Sequence, residues 1–302
     1  SGLDPGLERR IVALLRRHDP RRVSHPETLA LAQRIRDEVR AGGRGGAVAP
    51  PPAPPPTALI AREADVARVG TLLERERLLT LTGPGGVGKT RLALQVAHER
   101  SAAFADGVCW VELAPVPDPA LVADTVADAL GVRAQAGRSL PASVADALRG
   151  RDLLLVLDNG EHVEEGVSDL CVHLLRDAPG VRVLVTARGR LAVPGERVLR
   201  VAPLPVPQEG ADPGTLPDSA AVRLFAERAR AVRPEFALTS RNAPLVASVC
   251  RRLDGLPLAI ELAAARMGVV GLEEIHARLG DSLRLLAGGP RTAPARHRTL
   301  RA

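Results

Sequence analysis

The stretch "LLTLTGPGGVGKTRLALQVA", Leu78 to Ala97, constrains the fold of this chain more than any other. A short apolar run leads into Gly83–Thr90, which fits G-x-x-x-x-G-K-[ST], and a helix-periodic run leaves it. A glycine-rich turn between a strand and a helix lets backbone N–H groups wrap phosphates, and the helix N-terminus adds a favourable dipole. Gly83, Pro84, Gly85, Gly86, Val87 and Gly88 would form the cradle, with Arg91 counted among the contacts. Lys89 would reach the β- and γ-phosphates, and Thr90 would place its hydroxyl on Mg²⁺. Lys89 is also the single lysine among 41 Lys and Arg residues. A compact charge on a flexible stem fits inside backbone amides in a way the broad guanidinium of arginine does not.

The surrounding pattern predicts the layers. Apolar runs at Leu78–Thr82, Val108–Leu113, Leu153–Leu157, Arg182–Thr186 and, more weakly, Arg197–Val201 alternate with helical spacing at Thr90–Arg100, Pro119–Leu130, Ser143–Arg149 and Gly166–Arg176. Strands that are apolar throughout and separated by helices predict an α/β parallel sheet with helices on both faces. After a Pro-rich break the strand character ends. Ser219–Val232, Asn242–Leu253, Pro257–Met267 and Leu272–Leu279 then predict a small all-helical domain. The expected organisation is a helical segment over 1–41, a Gly/Pro linker over 42–57, a nucleotide-binding domain over 58–206, a linker over 207–218, the helical domain over 219–289 and the start of a further domain over 290–302. Helices are expected at Leu7–Arg17 and Pro26–Arg40. The chain opens on Ser1 and its one methionine is Met267, so it reads as a piece of a longer protein.

A net charge of +6 raises the possibility of a nucleic-acid binder, but the excess sits at the ends. Residues 50–289 hold 27 basic and 29 acidic side chains, a net of −2, which does not describe a phosphate-backbone surface. No direct contact of this fragment with nucleic acid is expected, and no membrane partner, since no run reaches about 18 apolar residues. A cytoplasmic protein is the simplest reading. Cys109, Cys171 and Cys250 lie far apart in apolar surroundings and are expected to be buried, reduced thiols. His162 and His173 lack the i, i+4 spacing of a helix-borne zinc pair.

Further carboxylates and a basic group follow the glycine-rich turn. "LLLVLD" ends in Asp158, placed at a strand's C-terminal end to hold Mg²⁺ through water. Asn159 stands where many hydrolases carry a second acid, which leaves Glu161 as the nearest carboxylate able to polarise water. Arg188, after "VRVLVTA", can sense a γ-phosphate or can be a solvated strand-end arginine. In "DGLPL", Gly255 suits the residue past a helix end and Pro257 the first turn of the next helix.

Taken in order, "LIARE", the glycine-rich segment, "WVELAPVPDPALVADTVADALGV", "LLLVLDNGEHV", "VLVTARGRLAVPGE" and "VCRRLDGLPLAIELAAAR" resemble the nucleotide-binding module of STAND ATPases of the NB-ARC type. The version most similar is that of large bacterial transcriptional regulators related to antibiotic-regulatory activators. The resemblance implies a P-loop NTPase sheet followed by a helical domain, with ATP/ADP and Mg²⁺ as cofactors. It places Ile60 and Arg62 near the adenine, with Ala61 where the family has glycine. It makes Asp158 the Walker B acid and Arg188 the sensor, and brings Pro257 against adenine. It further implies slow hydrolysis and a switch: ADP holds the module closed, and ATP opens it and promotes self-association. The DNA-binding and activation domains upstream and a sensor region downstream would be partners within the same protein. Two other classes stand beside this one: a turnover P-loop ATPase or kinase with a helical lid, and a nucleic-acid binder using the Arg-rich ends.

Overall fold

Four apolar runs pair edge to edge because each is too apolar to leave either face in water, and a fifth, more polar run closes one edge of the sheet. The chain order is α1 (Glu63–Arg75), β1 (Leu78–Thr82), α2 (Lys89–Arg100), β2 (Val108–Glu112), α3 (Val122–Leu130), α4 (Leu140–Ala147), β3 (Leu154–Asp158), α5 (Glu164–Asp177), β4 (Arg182–Ala187) and β5 (Glu196–Arg200). The structure, a computed structural model, describes residues 48–281 apart from Pro56 and Ala136. The helices expected at Leu7–Arg17 and Pro26–Arg40, and the segment 290–302, lie outside the described residues.

The strands form one sheet in the order β2-β3-β4-β1-β5, and every pairing is parallel. β1 and β3 are buried at every position. β5, whose apolar run is the weakest, is largely exposed at the sheet edge. On one face Leu79, Leu81, Trp110, Val156 and Leu184 pack beneath α2 and α1. On the other, α3 lies against β2, and α3, α4 and α5 pack on one another. Each leucine buried in this way contributes about 2 kcal/mol relative to an exposed one.

Helix α1 is not among the helices expected from sequence. It forms because Val66, Val69 and Leu73 fall on one face and are sealed into the α2 side of the sheet. The polar residues interleaved with them hide a three-residue stripe. The Pro-rich stretch read as a linker also behaves differently where it is described. The Ala49 carbonyl accepts from the Trp110 N–H at 2.9 Å, and the Ala49 N–H donates to Ala129 at 3.0 Å, so the segment caps the β2 edge. Farther along, His98 Nε2 lies 2.8 Å from the Pro52 carbonyl. Extended proline-rich backbone has no internal hydrogen bonds, so its carbonyls are free to accept from the body beside it.

After β5 come α6 (Ala220–Val232), α7 (Ala243–Arg252), α8 (Pro257–Ala265) and α9 (Leu272–Asp281). Their shared core includes Phe225, Val246, Ile260 and Ile275, with Phe225 edge-on to Phe236 at 6.3 Å. Ile60 and Leu204, from outside these helices, are buried in the same core. Gly255 has φ +65, and a side chain there would collide with the Leu204 carbonyl, so the turn between α7 and α8 requires glycine. Pro257 opens α8 as the sequence predicts.

Cys109, Cys171 and Cys250 are free and buried. Burial pushes all three thiols up to about 12. No helix among the described residues is long and apolar enough to cross a membrane.

Candidate functional site

The glycine-rich turn joins β1 to α2 at the C-terminal end of the sheet. Gly83, Gly86 and Gly88 all have positive φ, at +148, +78 and +100. Those angles strain any residue with a Cβ and turn successive backbone N–H groups toward one concavity. At Gly85 and Gly88 a Cβ would meet nothing within 4 Å, so the concavity is open there. Helix α2 begins at Lys89 and directs its N-terminus into the same space.

Lys89 is 9 % exposed, and its Nζ donates to the carbonyls of Gly83 at 2.8 Å and Pro84 at 3.2 Å. Burial holds its ammonium below the usual lysine range and Arg188 lowers it further, while Glu161 and Asp158 raise it. Thr90 Oγ1 donates to Asp158 Oδ1 at 2.8 Å. Thr186, at the end of β4, donates to the same oxygen at 2.7 Å, and its own Oγ1 accepts from the Asn159 N–H at 2.8 Å. Asn159 is held at φ +65, a region asparagine tolerates better than most residues. A hydroxyl and a carboxylate together at the end of the phosphate cradle are the hard oxygen donors that Mg²⁺ takes. Among the described residues, no group of three or more His, Cys, Asp or Glu could hold a metal, so Mg²⁺ here would depend on Thr90, Asp158, water and phosphate oxygens.

A cavity of about 750 Å³ opens above this pair, within the range of small-ligand sites. Of the residues expected from sequence, Ile60, Arg62, Pro84 through Arg91, Glu161, Arg188 and Pro257 line it. Gly83 and Asp158 do not; Gly83 is the carbonyl beneath Lys89, and Asp158 is the buried anchor of Thr90. Arg62 lines the cavity, yet its guanidinium donates to Asp65 at 2.7 Å and to the Val87 and Ala202 carbonyls at 3.2 and 2.7 Å, tying the entry segment to the turn. Arg91 likewise lines the cavity, with its guanidinium on Glu261, Thr57 and Ala58 rather than in the phosphate cradle. Arg188 pairs with Glu161 at 3.2 Å. Ala61 has φ +53, which shows why glycine suits that position.

Sequence reasoning did not find Leu224, Leu258 or Glu261, all of which line the cavity. They belong to helices of the second layer and carry ordinary helical spacing, so nothing in the linear pattern separates them from core or surface residues. The second layer reaches the turn directly: the Leu258 N–H donates to the Gly86 carbonyl at 3.1 Å.

Residues 72–191 match the family model described as an AAA domain. The chain carries a P-loop NTPase domain. It is 44% identical over 231 residues to a Mycobacterium tuberculosis protein that bears the description HTH-type transcriptional regulator, covering 76% of this chain and 25% of that one. It is 32% identical over 221 residues to the regulatory protein AfsR of Streptomyces coelicolor, covering 68% of this chain and 20% of AfsR. The chain thus spans about a quarter or less of the length of these relatives. A solved STAND protein with a tetratricopeptide repeat sensor from Pyrococcus horikoshii aligns with a TM-score of 0.48 at 14% identity, over 76% of this chain and 33% of that one, a likeness too coarse to bear on function.

Proposed function

We propose that this chain is the nucleotide-operated switch of a larger transcriptional regulator, binding ATP or ADP with Mg²⁺ and hydrolysing ATP slowly. The observation that carries this reading is the hydrogen bond from the Leu258 N–H to the Gly86 carbonyl. It sets the first turn of α8 on the phosphate-binding turn, next to Pro257 in the cavity wall. A ligand that fills the cradle therefore acts on the seat of the helical layer. Only differential contact with the two nucleotides can shift such an equilibrium, and Arg188, paired with Glu161, is positioned to supply it by exchanging that partner for a γ-phosphate.

Each residue has a separate task in this reading. The cradle amides and Lys89 neutralise the phosphate chain, and Thr90 and Asp158 would hold Mg²⁺, which would supply further positive charge against the phosphates. Ile60, Leu224 and Pro257 form apolar walls for the base. Self-association in the ATP state, and communication with DNA-binding and sensor regions of the same protein, complete the proposal; the descriptions of the two relatives as regulators support it.

The test begins with purified protein, denatured to release and identify bound nucleotide, followed by single- and multiple-turnover hydrolysis and light scattering with ADP or a non-hydrolysable ATP analogue. Stoichiometric nucleotide, turnover below about 1 s⁻¹ and a larger particle with the ATP analogue are expected, since ordinary enzymes run at about 1 to 10³ s⁻¹. Fast turnover with no difference between the nucleotides in particle size would sink the switch.

A further inference from the structure

Glu261 lies four residues beyond Pro257 in α8, so the two share one face of that helix, and both line the cavity above the phosphate cradle. The Leu258 N–H on the Gly86 carbonyl seats the start of α8 on the turn, and Glu261 follows about one helical turn farther along. Arg91 reaches the same level from α2. It follows Thr90 directly, and its guanidinium donates to Glu261 Oε1 at 3.0 Å and to the Ala58 carbonyl at 3.1 Å. Ala58 lines the cavity together with Leu59 and Ile60. Arg91 and Glu261 therefore span the wall between the phosphate-binding turn and the apolar end of the cavity.

A nucleotide has its parts in a fixed order, with the sugar between phosphates and base. With phosphates on Lys89 and the base among Ile60, Leu224 and Pro257, the sugar falls against this stretch of wall. Its hydroxyls are donors, and a guanidinium offers them no acceptor. A carboxylate does, and in dinucleotide-binding sheets an acidic side chain takes a ribose hydroxyl in this way. Glu261 can carry its charge this close to phosphates because Arg91 and Arg228 both donate to its Oε1, each at 3.0 Å. A carboxylate has about four lone-pair sites, so two such bonds fix its orientation without filling it. The side chain is 27 % exposed.

From the place of Glu261 between cradle and apolar wall, held by two arginines, we propose that its carboxylate accepts the ribose hydroxyls of the bound nucleotide and makes the site selective for ribonucleotides over deoxyribonucleotides. The assignment rests on the nucleotide-binding reading above. ADP and ATP carry the same sugar, so this contact tethers the helical layer to either nucleotide and does not itself distinguish them.

The test uses the 302-residue chain, freed of bound nucleotide, with its Glu261→Gln and Glu261→Ala variants. Calorimetric titration compares ADP, 2′-deoxy-ADP and 2′,3′-dideoxy-ADP. The parent should bind ADP about tenfold or more tightly than the dideoxy analogue, a ratio within reach of hydrogen bonds to a charged acceptor. In Glu261→Gln the ratio should shrink severalfold, and in Glu261→Ala it should approach one. Affinity for dideoxy-ADP should change little in either variant, because that ligand has no hydroxyl to lose. A purely structural role would instead weaken all three ligands together and leave the ratio intact, and that result overturns the assignment. A parent that binds ADP and dideoxy-ADP within about twofold also overturns it, leaving the nucleotide reading in place. A parent that binds none of the three overturns both.

Discussion

Arg91, two residues beyond Lys89 on α2, donates to Glu261 of α8 at 3.0 Å, and Arg228 of α6 donates to the same oxygen at 3.0 Å. Arg91 also donates to the Thr57 carbonyl at 2.7 Å. One carboxylate thus joins α2, the helical layer and, through Arg91, the segment that enters the domain. Burial holds the Arg91 guanidinium below its ordinary range, with Glu261 raising it and Arg228 lowering it. Glu261→Ala leaves two half-buried guanidiniums facing each other and should destabilise the fold by about 1 to 3 kcal/mol, read from urea denaturation midpoints at constant m. Glu261→Gln, which keeps an acceptor, should lose less.

Lys89→Arg keeps the charge but not the size. Lys89 is enclosed by the Gly83 and Pro84 carbonyls, and the planar fork of arginine cannot occupy that space without displacing the turn. Nucleotide affinity should fall by about tenfold or more, since about 1.4 kcal/mol is enough for that loss. Arg68→Lys, on the exposed face of α1, is the control and should be silent. Equal titration curves for Lys89→Arg and the parent would refute the size argument.

Ala61 sits at φ +53, where an alanine Cβ is strained. Ala61→Gly removes that strain at some cost in unfolded-chain entropy, and a net stabilisation of about 0.5 to 1 kcal/mol is expected in thermal melts. Gly255→Ala, at φ +65 and against the Leu204 carbonyl, should go strongly the other way.

The three cysteines offer a check on the packing. With thiols pushed up to about 12 by burial, the folded chain should give almost no reaction with a disulfide reagent at pH 8, and all three should react in denaturant. Rapid native reaction of even one would place a cleft where a core is described.

His276 of α9 lies 2.9 Å from Ser248 Oγ, and burial together with Arg252 and Arg251 lowers its pKa. The folded state thus binds this proton less readily than the unfolded state. Stability from this group is complete above the ordinary histidine pKa and declines as pH falls below it. The parent's melting temperature should drop more than that of His276→Gln between pH 7 and pH 5.5.

The alternation of fully apolar runs with helical spacing was enough to predict the parallel sheet and four helices after it, because burial on both faces leaves no polar stripe to confuse the period. The turn over Gly83 to Thr90 was legible for a related reason: the positive φ values at Gly83, Gly86 and Gly88 favour glycine, so the spacing is visible in the letters. Where a feature depends on distant residues, the letters were silent. α1 has only a three-residue stripe among charged neighbours. Leu224, Leu258 and Glu261 look like any helical residues. The docked Pro-rich segment reads as a linker because its partners, Trp110, Ala129 and His98, are far away in sequence.

Local stereochemistry therefore determined the cradle, the strand and helix periods and the proline that opens α8. The tertiary structure alone decided that Thr90 and Thr186 meet on one oxygen of Asp158 and that α8 rests on Gly86. Those relationships come from strand register and from packing two cores against each other, and both bring together residues separated by tens to more than a hundred positions, a distance over which a linear pattern carries no signal.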